Sequence, residues 1–205
     1  MNLMKLCLIL AGLCELTACS HMPISTIYAL RNFDFAEFDP AQLQIAVRVP
    51  DSLEPLPGEA KLSVSLWSDG QEKEKNTEHY TLAIDKSQNH KGQLARFQKD
   101  GDKLFAFHLK DEDEERVRAM QIKGRALRKD AKGKTHLELQ INVKSCRHGD
   151  IGNGPLMMNI YLKPDAQTSY LVFLDDIDLR QTASDAKLNL EDFFLPCPKL
   201  STRAP

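Results

Sequence analysis

The chain has almost none of the signatures by which an enzyme or a nucleic-acid-binding protein announces itself. Its net charge is −2, so there is no basic footprint for nucleic acid and no polybasic patch for anionic lipid. The six histidines, at positions 21, 79, 90, 108, 136 and 148, contain no His-x-x-x-His or other zinc spacing. There is no Cys-x-x-Cys, no serine stands in Gly-x-Ser-x-Gly, and no internal repeat is evident. The glycines at 149, 152 and 154 superficially resemble a phosphate-cradling loop. Their run ends in Pro155 before a strand pattern, however, not in a helix whose amides could hold a phosphate. No Pro/Gly/Ser-rich stretch divides the body, which reads as one domain with a single sizeable core.

Long apolar runs are also missing. The longest near the start, Leu6 to Cys14, has nine residues, whereas a helix needs about 20 to cross a bilayer. With Lys5 before it and small residues after it, the run reads as the core of an export signal. It leads into Leu16-Thr17-Ala18-Cys19, which resembles the lipobox of bacterial lipoproteins, with Glu15 as the one departure from that pattern. The resemblance covers only this segment. It implies cleavage after Ala18, a diacylglycerol on the Cys19 sulfur, and acylation, typically by palmitate, of the new amino terminus. Ser20 follows where an inner-membrane lipoprotein tends to carry aspartate, which implies an outer-membrane anchor facing the periplasm. Residues 1–18 are then the removed signal and 19–38 the lipidated start, tether and aromatic arm. Residues 39–205 form a β-rich periplasmic domain with a C-terminal tail.

Cys7 and Cys14 would leave with the signal, so two thiols remain for the body, Cys146 and Cys197. In an oxidising compartment such a pair is expected to form a disulfide. Closing about 50 residues, it contributes about 4 kcal/mol in the chain-entropy model. A soft metal site using Cys146, His148 and Asp150, with Met157 and Met158 nearby in sequence, is the competing reading, and buried methionines are ordinary packing material. Asp175, Asp176 and Asp178 suggest calcium but lack the loop spacing of a calcium motif. Neither catalytic residue nor cofactor nor metal site is expected.

What is present is alternation. Leu43, Ile45, Val47 and Val49 face one way between polar neighbours, the two-residue period of a half-buried strand. The same period recurs at Leu62–Leu66, Tyr80–Ile84, Phe105–Leu109, Leu137–Val143, Leu156–Leu162 and Tyr170–Leu174. In the last of these Leu171 and Phe173 make both faces apolar, predicting a central strand or one covered by the arm. Turns are expected at Pro55-Leu56-Pro57-Gly58, Ser68-Asp69-Gly70, Lys99 to Asp102 and Gly149 to Pro155. One helix is predicted from Glu112 to Lys129, acidic at its start and basic at its end as the macrodipole favours. Gly124 within it is expected to allow close approach to the sheet. A second helix is placed from Ser184 to Phe194, capped by Ser184 and Asp185.

These elements predict a mainly β fold, specifically an antiparallel β-sandwich of about seven strands, immunoglobulin-like or a related Greek key, with one crossover helix. For function the sequence favours a non-catalytic protein-interaction or accessory module of a cell-envelope assembly. Its candidate partner contacts are an exposed strand edge or the arm residues Phe33, Phe35 and Phe38. The alternative is binding of a small apolar ligand or metal ion between the sheets.

Overall fold

The computed structural model describes Pro23 and residues 34–87, 91–130 and 134–198. Seven strands follow the alternating segments: β1 (Gln44–Pro50), β2 (Leu53–Ser68), β3 (Asn76–Ile84), β4 (Asp102–Leu109), β5 (Thr135–Arg147), β6 (Met157–Lys163) and β7 (Leu171–Asp178). The helices are α1 (Lys91–Leu94), α2 (Asp111–Asp130), α3 (Leu179–Asp185) and α4 (Leu190–Phe193), with 3-10 turns at Pro40–Gln42, Glu72–Glu74 and Ala95–Phe97.

All seven strands hydrogen-bond into one antiparallel sheet in the order β5-β2-β3-β4-β1-β6-β7. The expected two-sheet sandwich is therefore corrected: the described residues contain a single curled sheet, a half-barrel. Its two end strands approach the same interior, where Ile141 of β5 and Phe173 of β7 line one small space. The physical reason is simple. Alternation reports that one face of each strand is buried, and both a sandwich and a curled sheet satisfy that requirement.

The inner face carries the main core. Ile45, Val47, Val49, Leu62, Val64, Leu82, Phe107, Leu109, Ile160 and Leu162 are buried in one cluster. Helix α2 closes it, inserting Val117 and Met120, both fully buried. The helix is held at its acidic start by Asp113, which accepts the Thr81 amide at 2.6 Å and pairs with Arg116. Near its end a Cβ at Gly124 would stand 3.3 Å from Leu66 Cδ1, so the glycine lets the helix lie close to β2.

The outer face has a smaller apolar layer that alternation did not reveal. Leu94 of α1 and Phe97 of the following turn cover Ala46, Leu104, Ala106, Tyr161, Tyr170 and Val172. Strand β7 is therefore an edge strand with cover on both sides, Phe173 inward and Val172 outward. This replaces the central position considered from sequence.

Two local expectations are also corrected. Pro55 to Gly58 is not a turn ending a strand but a bulge inside β2, where the register against β5 shifts between Pro55 and Ala60. Prolines cannot donate to the ladder, and Gly58 adopts a φ of 75° that suits the extra residues. The predicted helix at 184–194 is split in two, with Asp178 and Asn189 as N-caps and Ser184 in the last turn of the first. Both caps use a side-chain oxygen to accept amides two or three residues on.

Candidate functional site

Cys19, Ala18 and Phe33 lie outside the described residues. Phe35 and Phe38 do not present a free aromatic patch. Phe35 is 3% exposed, Phe38 packs on the core, and their ring centroids are 5.4 Å apart. The backbone between them is held by α2: Gln121 Nε2 donates to the Phe35 and Phe38 carbonyls at 2.9 and 2.7 Å, and Arg125 donates to the Ala36 carbonyl. Arg128 grips both oxygens of Asp34 at 2.8 and 2.7 Å, which holds the Asp34 carboxyl below its ordinary range. The two rings considered as partner contacts thus cover this domain's own inner core. They pack as a tight turn and not as an added strand.

Cys146 and Cys197 are joined by a disulfide. Around it the tail adds to the end of β5, the Arg147 amide donating to the Leu195 carbonyl at 2.9 Å and the Cys197 amide to the Arg147 carbonyl at 3.0 Å. Arg147 Nε donates to the Phe194 carbonyl at 3.0 Å, and the Phe194 ring is buried in the main cluster. His148, next to the disulfide, is engaged with Glu54 at 2.6 Å, while Met158 packs on the core. Among the described residues no group of three or more His, Cys, Asp or Glu is placed to hold a metal ion.

The loop from Gly149 to Pro155 is filled by Arg180 of α3, whose guanidinium donates to the carbonyls of Ile151, Gly152 and Gly154. Its carbonyls, not its amides, converge, and they converge on a cation. That arrangement suits a strand connection and not an anion cradle.

Asp175 and Asp176 belong to a polar network on the outer face that the sequence reading missed. Asn159, fully buried in β6, donates its amide to both carboxylates and accepts from Arg48 Nη2. Arg48 also donates to the Phe97 carbonyl at 2.9 Å and lies 3.2 Å from Asp102. Asp176 sits at a φ of 48°, uncommon for a non-glycine residue, where the β6–β7 register shifts. Signals existed in the chain: Arg48 interrupts an apolar strand, and Asn159 stands inside Met157-Met158-Asn159-Ile160. Beside the network the Tyr161 phenol is pushed up to about 12 by burial.

One gap in the inner core is bounded wholly by described residues, and it is small. Between Phe35, Phe38, Leu43, Leu62, Leu139, Ile141, Leu162 and Phe173 the gap is about 10 Å³, enough for one water at most.

Among the described residues, the outer edge of β5 is left open. This 13-residue strand pairs with β2 on one side. On the other, among the described residues, only Arg147 is paired, through the bridge to Pro196. Its inward side chains are incompletely covered, with Leu137 38% exposed and Leu139, Ile141 and Val143 half-buried. An edge of this kind presents unpaired amides and carbonyls ready for another strand. No helix among the described residues is long and apolar enough to cross a membrane. Compared with known proteins, the chain matches no family model, and no curated protein or solved structure is significantly similar to it.

Proposed function

We propose that this is a lipid-anchored envelope protein that acts without catalysis, as an interaction module that accepts an extended segment of a partner protein along the free edge of β5. The anchoring part rests on Leu16-Thr17-Ala18-Cys19 and its resemblance to a lipobox. The observation that carries the interaction part is the edge itself, because the chain's own tail already adds to it at Arg147. Strand addition supplies main-chain hydrogen bonds, and alternate apolar side chains supply selectivity. The segment that fits is extended, with apolar residues at every second position to cover Leu137, Leu139, Ile141 and Val143. The outward side chains of β5, His136, Glu138, Gln140, Asn142 and Lys144, mix both charges, so shape and pairing and not net charge select the partner.

The full chain carrying a photoactivatable residue at Asn142, on β5, is crosslinked in intact cells and its adducts are identified by mass spectrometry. The same probe at Glu112, on α2, is the control. A discrete protein adduct from Asn142, absent from Glu112 and lost with Leu137→Lys in the same chain, supports strand addition. Lipid adducts alone, or equal adducts from both positions, overturn it.

The alternative reading, a small apolar ligand or metal ion held inside the fold, has less support, since the gap between Phe35, Leu62, Ile141 and Phe173 is about 10 Å³.

A further inference from the structure

We infer that the domain turns its outer face, around Arg96, Phe97 and Tyr170, toward the bilayer, and that the groove there guides the tether toward the membrane. The inference rests on the reading of Cys19 as the lipidated residue and adds an orientation to it.

Pro23 is half-buried and forms part of the wall of an open groove, together with Arg96, Phe97, Tyr170, Leu171, Val172 and Asp175. The groove is a built feature. Tyr170 is buried, and Phe97 stacks on Tyr161 with ring centroids 4.1 Å apart. Arg96 is braced twice, donating to the Tyr170 carbonyl and lying with its guanidinium 4.6 Å from the Phe97 ring centroid. Proline suits such an aromatic wall, since it brings no amide that burial would leave unpaired and its fixed φ costs little to order.

Cys19 stands four positions before Pro23, and an extended chain spans at most about 3.6 Å per residue. The lipidated sulfur therefore stays within a few residues' reach of this groove, about 15 Å along the backbone. Helix α2 lies beyond the sheet, because Val117 and Met120 fill the inner face while Leu94 and Phe97 cover the outer one. Acyl chains at Cys19 thus bring the outer face to the lipid surface and leave α2, with its exposed charges and the 60% exposed Ile122, on the aqueous side.

The test uses the full-length native protein in nanodiscs of phosphatidylethanolamine and phosphatidylglycerol doped with a gadolinium-chelating lipid. Relaxation enhancement is read at each backbone amide. The expected result is several-fold stronger broadening at residues 94–104 and 170–174 than along α2, with Pro23→Gly reducing that contrast. A flat or reversed profile overturns the orientation, and an unchanged contrast in Pro23→Gly overturns the role of the groove. Intact mass of the same sample separates the two layers of the argument. Missing acyl chains refute the anchor and the orientation together, whereas a lipidated protein with a flat profile refutes the orientation alone.

Discussion

The two faces of the sheet solve burial by different chemistry. On the inner side Ile45, Val47, Val64, Leu82, Phe107 and Ile160 pack against α2 and the Phe35 turn, and apart from the Tyr80 hydroxyl the cluster is apolar. On the outer side Arg48, Asn159, Asp102, Asp175 and Asp176 are knitted together beside a small aromatic layer. An apolar interior tolerates rearrangement so long as volume is kept. A network with buried members such as Arg48 and Asn159 is less tolerant, because removing one leaves its buried partner without water. The inner face therefore supplies stability in bulk, and the outer face fixes how the α1 segment and β7 sit on the sheet.

The sharpest way to probe this contrast is to empty each face in turn. Phe107→Ala, inside the main cluster, is expected to cost about 4 kcal/mol through lost transfer energy and a residual cavity, read as a shifted urea midpoint. A loss below about 1 kcal/mol would mean that the core collapses around the gap. Arg48→Ala is expected to cost about 3 kcal/mol, because Asn159 keeps a buried carbonyl and Asp102 a half-sequestered charge with no partner. Hydrogen exchange should speed up selectively in β7 and in residues 94–97. Uniform acceleration across the sheet would show that the network has no local role.

A smaller effect tests the clamp between the Phe35 turn and α2. Because Arg128 lowers the Asp34 pKa in the folded state, the contribution of Asp34 is fully present above its ordinary value near 3.9 and is lost as pH falls below it. Asp34→Asn is expected to cost about 1 kcal/mol or less at pH 7, given its solvent exposure. That deficit should shrink as pH drops below about 4. A deficit that does not change with pH would assign the role to the Ala36 amide contact instead. Smallest of all, Gly124→Ala should change stability by about 0.5 kcal/mol or less, helix propensity offsetting a slight displacement of Leu66. Gly124→Val, which needs space that Leu66 occupies, should be clearly worse.

The inner face was legible in the sequence because six strands announce it with a two-residue period, and α2 announces itself with charge order; in the β7 segment the periodic residues Tyr170 and Val172 face outward instead. The outer layer was not. Leu94 and Phe97 are isolated apolar residues in a polar stretch, and nothing periodic marks them. Arg48 and Asn159 were visible as interruptions, but which partners they meet is set by pairing across 111 positions, which local pattern cannot supply. The same limit explains the sandwich: alternation tells a strand which way to face, not which strand will lie beside it. Of the proposed interaction site, the strand was readable and its edge, unpaired among the described residues, was not, since an edge is defined by which neighbour lies beside it. The Phe35 and Phe38 rings were prominent in sequence, yet their inward placement depends on Gln121 and Arg125 some 85 positions later.

Strand β1, the first of the sheet to leave the ribosome, lies between β4 and β6, and its Gln44 stands opposite His108 on one side and Lys163 on the other. β4 is made only midway along the chain and β6 later still, so this largely buried strand waits for half of the chain before its first partner exists. Nonlocal pairing of this sort makes folding slow and leaves sticky segments open to other chains in the meantime. Productive assembly of this protein should accordingly depend on holdase chaperones more than its modest size suggests.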